Sequence, residues 1–272
     1  MAGRLTAQAL VEGAIDIALD AGAAIMRVYE AGPVSVSSKP DASPLTEADL
    51  SAHRAIVAGL HALTPDIPIL SEEGAQIPFA ERSRWDRYWL VDPLDGTKEF
   101  LSRNGEFTVN IALIDAHTPV LGVVYAPAKD VLYYSPGPDG GAFRRTRTGE
   151  PERVAVRATA ESPVRVVGSR SHRGDSLTAA LERLGAHTLL TIGSSLKICL
   201  VAEGRADWYP RLGPTSEWDT AAAHAVVLAA GGEVVDATGA PLEYNRKASL
   251  LNPHVLVYGD CRRDWVGLVR GV

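Results

Sequence analysis

The 272-residue chain carries only two cysteines, Cys199 and Cys261, and no CxxC pair. That excludes a disulfide framework and points to a reduced, cytosolic compartment. No apolar run approaches the roughly 20 residues that a membrane helix needs, so no integral membrane segment is expected. The opening segment MAGRLTAQALVEGAIDIALDAG is interrupted by Glu12, Asp16 and Asp20. It is expected to be an ordinary helix and not a secretory signal. There is no Lys/Arg-rich block. With 27 bases against 33 acids and a formal charge of −6, long nucleic acid is a poor partner. A small anion held by local bases or a metal stays open. The 25 glycines and 17 prolines follow no period, which excludes collagen-like and low-complexity structure. No internal repeat is visible.

What is present suits a folded protein. Hydrophobic residues make up 46% and charged residues 22% of the chain, enough for a large core without staples. The length fits one large domain or two modest ones. Leu10, Ala14, Ile17, Ala18, Ala21 and Ile25 recur at helical spacing and predict a helix from about Thr6 to Glu30, ended by Gly32-Pro33. A second helix starts at Thr46, with Ile56, Leu60 and Leu63 on one face, and stops at Thr64-Pro65. Short apolar runs at Ile67–Leu70 and Tyr88–Val91 read as buried strands that end at acids. Phe107–Ile114 with Val120–Tyr125 predicts a hairpin, and Val131–Tyr134 and Ala142–Arg145 continue the strand pattern. The polar stretch RTRTGEPERV has no apolar period and places a soft boundary there, between an α+β part at 1–152 and an α/β part at 153–272. The second part alternates: strands at Val164–Val167, His187–Thr191, Ala206–Tyr209 and Glu233–Val235, with helices at Asp175–Leu184, Ser194–Glu203 and Glu217–Ala230. Such alternation predicts helices packed on a sheet.

The acids cluster by position. In WLVDPLDGT an apolar strand delivers Asp92 and Asp95, three residues apart, onto a turn shaped by Pro93 and Gly96. Hard cations such as Mg²⁺ take oxygen ligands in this arrangement. A plain Asx turn is the alternative. Glu72 and Glu73, in LSEEG, also end an apolar run, either as a repelling pair that needs a cation or as a solvated loop. Thr46-x-x-Asp49 and Ser216-x-x-Asp219 are capping-box patterns, so both aspartates have a purely structural explanation as well. Seven histidines show no HxxxH spacing, which argues against zinc. No Ser-His-Asp or Cys-His set suggests a covalent nucleophile.

Taken together, SEE, WLVDPLDGTKEF and EWDTAA, in this order, resemble the inositol-monophosphatase-like superfamily of Mg²⁺-dependent, lithium-sensitive phosphatases. KPDASPLTEAD, LTPDIPILSEEG, NGEFTVNIALI, GVVYAP, SRSH, GSSLKICLVAEGRADWYPR and LNP extend the likeness from about residue 8 to 258. They favour its 3′(2′),5′-bisphosphate nucleotidase branch. The resemblance implies an α/β (α+β) fold, a layered αβαβα sandwich of the inositol-monophosphatase/fructose-bisphosphatase type. It implies metal ligands at Glu72, Asp92, the Leu94 carbonyl, Asp95 and Asp219, holding two or three Mg²⁺ ions. Asp49 and Thr97 match the pair that orients the attacking water, Glu73 the second acid of SEE, and Gly96-Thr97 the phosphate cradle. His172, Ser194, Lys197 and Arg211 match nucleotide contacts; the segment from Gly193 to Lys197 would open a helix with an anion site. The implied reaction removes the 3′-phosphate of adenosine 3′,5′-bisphosphate, with 3′-phosphoadenylyl sulfate as a second substrate, clearing by-products of sulfate assimilation. Inositol-1-phosphatase or fructose-1,6-bisphosphatase activity is the near alternative, and a non-catalytic metal-stabilised regulator the distant one. A covalent aspartyl-phosphate mechanism would use DxD spacing, which Asp92 and Asp95 lack. The expected partner is a small nucleotide bisphosphate, and the expected state a monomer or homodimer.

Overall fold

The structure is a computed structural model that describes residues 5–32, 36–38, 44–168 and 175–272, with the backbone alone at 36–38 and 44. The first helix, α1 (Ala7–Glu30), is capped by the Thr6 hydroxyl and buries the predicted stripe. A two-stranded ribbon, β1 (Val36–Ser38) and β2 (Pro44–Thr46), leads into α2 (Glu47–Leu63). Then come β3 (Ile69–Ser71), α3 (Phe79–Arg82), β4 (Arg87–Asp95) and α4 (Thr97–Leu101). The meander follows as β5 (Thr108–Asp115), β6 (Thr118–Ala126), β7 (Val131–Ser135), β8 (Ala142–Arg145) and β9 (Glu152–Val154). These strands, β3 to β9, form a seven-stranded sheet in sequence order, with β3 parallel to β4 and all other pairs antiparallel.

The second half supplies β10 (Val164–Gly168), α5 (Asp175–Leu184), β11 (His187–Thr191), α6 (Leu196–Ala202), β12 (Trp208–Arg211), α7 (Glu217–Ala229), β13 (Glu233–Asp236), β14 (Val255–Tyr258) and α8 (Trp265–Val269). Its strands make a five-stranded mixed sheet in the order β11-β10-β12-β14-β13.

Three apolar clusters stack these elements into layers. Leu10, Ala14, Ile25 and Ile56 of α1 and α2 pack on Trp89, Val91, Val109 and Ile111 of the first sheet. The opposite face of that sheet meets α6 and α7, whose far sides meet Tyr209, Val255 and Val257 of the second sheet. α5 and α8 close the outer face through Ala180, Leu184, Trp265 and Val269. The order is therefore αβαβα, as expected. α7 explains itself: EWDTAAAHAVVLA is apolar on nearly every side, and a helix apolar all round belongs in an interior.

Some expectations shift. The polar stretch in which a soft boundary is expected contains β9, so the expected boundary at 152 falls inside a strand. β9 is a three-residue edge strand whose Glu152 and Arg153 are exposed; backbone pairing alone leaves no apolar period to read. The expected strand at Ala206–Tyr209 begins later, at Trp208, because Asp207 turns its carboxylate onto the Arg165 amide and guanidinium. The short helices α3, α4 and α8 and the strand β14 carry no expectation from the pattern.

Candidate active site

The acidic cluster is built by an irregularity in β4. Asp92 pairs with Asn110 and Asp95 with Thr108, so three steps along β4 match two along β5. In a regular strand, residues three apart face opposite sides. One extra residue in a bulge restores them to the same side. The expected turn at Pro93 is thus a bulge within the strand. Asp92 Oδ1 accepts the Leu94 N–H at 3.0 Å and pins it. The turn itself comes at Gly96, whose φ of 91° is left-handed and opens α4.

β3, parallel to β4, brings Glu72 to the same end, on the single 3₁₀ turn Glu72–Gly74. His53 Nδ1 lies 2.8 Å from Ser71 Oγ and ties α2 to that turn. From the other side, the first turn of α7 delivers Asp219. Burial pushes the Asp219 carboxyl up to about 8, with Asp95 and Glu72 adding to it. Asp92 is 1% exposed, and burial followed by Glu72, Asp95 and Asp219 holds its carboxyl well above the usual range. Burial also raises Asp95, against the opposing pull of Lys197 and the Ser195 amide. Four acids from three elements therefore repel one another in one place.

The capping boxes are real. Asp49 Oδ2 accepts both the Thr46 amide, at 2.8 Å, and the Thr46 hydroxyl, at 2.6 Å. Its Oδ1 lies 3.5 Å from Thr97 Oγ1. Asp219 Oδ2 accepts the Ser216 amide at 2.8 Å, while the residue also lines the cleft. Capping and facing the site are the work of the same carboxylates.

A cleft of about 80 Å³ lies between the halves, lined by Asp95, Ser194, Ser195, Lys197, Tyr209, Arg211, Thr215 and Asp219 among others. Lys197 is half-buried; burial lowers its pKa, Asp95 works against that, and Arg211 adds to it. Arg211 donates to the Pro214 carbonyl at 2.8 Å, and its Nε is buried without a partner. The helix expected from Ser194 starts at Leu196. Ser195 does not offer its groups to a ligand: its N–H donates to Asp95 Oδ2 at 2.5 Å and its hydroxyl contacts Asn110 and Thr108. Glu73 follows Glu72 on the 3₁₀ turn and is half-buried. His172 lies outside the described residues. Sequence reasoning missed His53, Asn110 and Thr215, whose positions depend on pairing across distant segments. It also assigned no role to Glu106, although NGEF was among the distinguishing motifs.

The donor set suits a hard cation. Among the described residues no three His, Cys, Asp or Glu side chains close into a cage. Mg²⁺ does not require one, because it commonly uses one or two carboxylates and fills its octahedron with waters and phosphate oxygens.

A layered αβαβα fold with this acidic cleft at a bulged strand end defines the class: the chain belongs to the inositol monophosphatase family, whose sequence profile matches residues 6–261. Within it, the sequence is similar to proteins named CysQ. The 3′(2′),5′-bisphosphate nucleotidase CysQ of Salmonella typhimurium is 54% identical over 245 residues, covering 90% of this chain and 97% of that protein. The crystal structure of CysQ from Bacteroides thetaiotaomicron, at 45% identity, superposes with a TM-score of 0.81 over 93% of this chain and 97% of that one. The suppressor protein suhB from Bartonella henselae, at 27% identity, gives 0.79 over 97% and 100%.

Proposed function

We propose that this enzyme removes the 3′-phosphate of adenosine 3′,5′-bisphosphate to give AMP, and that 3′-phosphoadenylyl sulfate is a second substrate of the same chemistry. The observation that carries this reading is the sharing of one cleft by acids and bases. Asp95 and Asp219 line it together with Lys197 and Arg211. A monophosphate needs only the acidic end with its metal. A bisphosphate also needs bases beyond it, and Lys197 and Arg211 supply two in the same cleft. The name of the relatives, bisphosphate nucleotidase, supports the same substrate.

Mg²⁺ is the metal of this reading, held as two or three ions by Glu72, Asp92, the Leu94 carbonyl, Asp95 and Asp219, with Glu73 beside Glu72. Bound there, it would neutralise the carboxylates and polarise both water and phosphoryl oxygens. The protein's own groups do the positioning. Asp49 is 1% exposed and its Oδ2 is fixed by Thr46. Its Oδ1 is thereby aimed at the Thr97 hydroxyl. With the Thr97 proton directed to Asp49, the Thr97 oxygen is left to accept from a water and orient it for in-line attack. The Gly96 and Thr97 amides open α4 and have no acceptor within that helix; they suit the oxygens of the phosphate being cleaved. Lys197 and Arg211 hold the phosphate that stays.

Phosphate release from adenosine 3′,5′-bisphosphate, inositol-1-phosphate and fructose-1,6-bisphosphate under one set of conditions tests the reading. The bisphosphate nucleotide is expected to show the highest kcat/KM, and only with Mg²⁺ added. A preference for inositol-1-phosphate would replace this assignment with that of an inositol phosphatase.

A further inference from the structure

Residues 193–195 form the turn that leads into α6, and this turn is fastened to the first sheet at three points. Gly193 N–H donates to Glu106 Oε2 at 2.9 Å. Ser195 N–H donates to Asp95 Oδ2 at 2.5 Å. Ser195 Oγ lies 2.7 Å from Asn110 Oδ1 and 2.8 Å from Thr108 Oγ1. The partners come from β4, β5 and the segment between them, so a turn from the second half of the chain is held in register with the strands that carry the acids. The approach is close enough to demand glycine. A Cβ on Gly193 would fall 2.5 Å from Glu99 Cγ and 2.8 Å from the Glu106 carbonyl oxygen.

Glu106 stands apart from the other anchors. Asp95 is one of the clustered acids, and Ser195 lines the cleft; Glu106 is not among the residues lining it. Its second oxygen lies 3.9 Å from Lys129 Nζ, on the side of β6 and β7. Through the Gly193 amide it holds the turn whose Ser194 and Ser195 line the cleft.

We propose that Glu106 is a positioning residue for the substrate's second phosphate: by accepting the Gly193 N–H it sets the 193–195 turn against β4, and with it the reach of Ser194 and Lys197 relative to Asp95. This rests on the reading that Lys197 and Arg211 hold the phosphate that is not cleaved. An amide bonded to a carboxylate is a charge-assisted contact of the stronger kind. Without it the turn is free to relax, and each binding event must order it again. That ordering cost falls on affinity for ligands that engage Lys197. Glu72, Asp92 and Asp219 lie outside these fastenings and keep their places.

The test uses Glu106→Ala and Glu106→Gln in the Mg²⁺-loaded enzyme. The substrates are adenosine 3′,5′-bisphosphate and adenosine 3′-monophosphate, which keeps the scissile group and lacks the second phosphate. The expected rise in KM for the bisphosphate in the alanine variant is about 10-fold, equivalent to about 1.4 kcal/mol and near the lower end for a hydrogen bond to a charged group. The rise for the monophosphate should be several-fold smaller, and kcat should fall less than KM rises. Glutamine, whose amide oxygen still accepts the Gly193 N–H, should restore most of the loss. Hydrogen exchange at the Gly193 and Ser195 amides should quicken in the alanine variant and not in the glutamine variant. Equal losses on both substrates, a loss confined to kcat, or a glutamine variant as impaired as alanine would overturn the proposal. If the wild type shows no KM advantage for the bisphosphate over the monophosphate, the underlying reading fails and the proposal falls with it. A wild-type advantage that Glu106→Ala leaves intact refutes the positioning role alone.

Discussion

Asp92→Asn separates an ion site from an ordinary acidic loop. Asp92 is 1% exposed, and its Oδ1 accepts the Leu94 amide at 3.0 Å. An asparagine carbonyl oxygen accepts that amide equally well, so the bulge that aligns Asp92 with Asp95 should survive. What changes is charge. Glu72, Asp95 and Asp219 all repel Asp92. At a separation of roughly 5 Å and an effective dielectric of about 20, each such pair is worth about 3 kcal/mol. Partial protonation and the half-exposure of the other three acids reduce the sum, leaving a gain of about 1–3 kcal/mol for the metal-free variant. For a chain of this size each kcal/mol moves the melting temperature by about 2–4 °C. The variant should therefore melt about 2–12 °C above the wild type in a chelator. Mg²⁺ should reverse the order. The wild type gains about 2.7 kcal/mol at 100 times its dissociation constant, and the variant, short of one ligand, gains much less. Thermal melts in chelator and across a Mg²⁺ titration read both effects. A variant that melts lower than wild type without metal, yet shifts equally with it, would refute the ion-site reasoning.

Three further outcomes are expected. Lys197→Ala and Arg211→Ala should each raise KM for adenosine 3′,5′-bisphosphate by roughly 10–150-fold, the equivalent of one charge-assisted contact, and by far less for adenosine 3′-monophosphate; steady-state kinetics on both substrates would expose a general loss instead. Ca²⁺ should protect the fold without supporting turnover, since its longer, looser coordination misplaces the attacking water; full activity with Ca²⁺ alone would contradict the geometry. Burial pulls His224, paired with Tyr244 at 2.9 Å, from 6.5 down to about 3. The unfolded chain then takes up the proton first, so stability is full above about pH 6.5 and is lost as pH falls toward 3, by at most about 1.4 kcal/mol per pH unit. His224→Gln should flatten the melting profile over that range, and an unchanged profile would show that His224 is not held neutral.

The layers were legible because each helix declares its surroundings: one apolar stripe in α1, apolar residues on all sides in α7. Asp92 and Asp95 were visible as a pair, yet their spacing of three suggested a turn. The bulge that puts both on one side depends on β5, and no local pattern encodes a register. Asp49 and Asp219 posed a choice between cap and site that the fold dissolves, since one oxygen of Asp49 caps α2 while the other faces Thr97. Lys197 stood out by its motif; that it shares a cleft with Asp95 and Asp219 required two sheets to close on α6. Glu106 was hidden because its partner is an amide 87 residues away. β9 left no trace because exposed edge residues need no apolar period.

On the proposed reading, this cleft removes the 3′-phosphate of a nucleoside bisphosphate with the help of Mg²⁺. Product identity after incubation with adenosine 3′,5′-bisphosphate, followed by chromatography with and without Mg²⁺, tests it most directly. AMP bearing its phosphate at the 5′ position, formed with one equivalent of phosphate and only when Mg²⁺ is present, is the predicted result. Adenosine 3′-monophosphate as the product, or equal turnover in chelator, would contradict it.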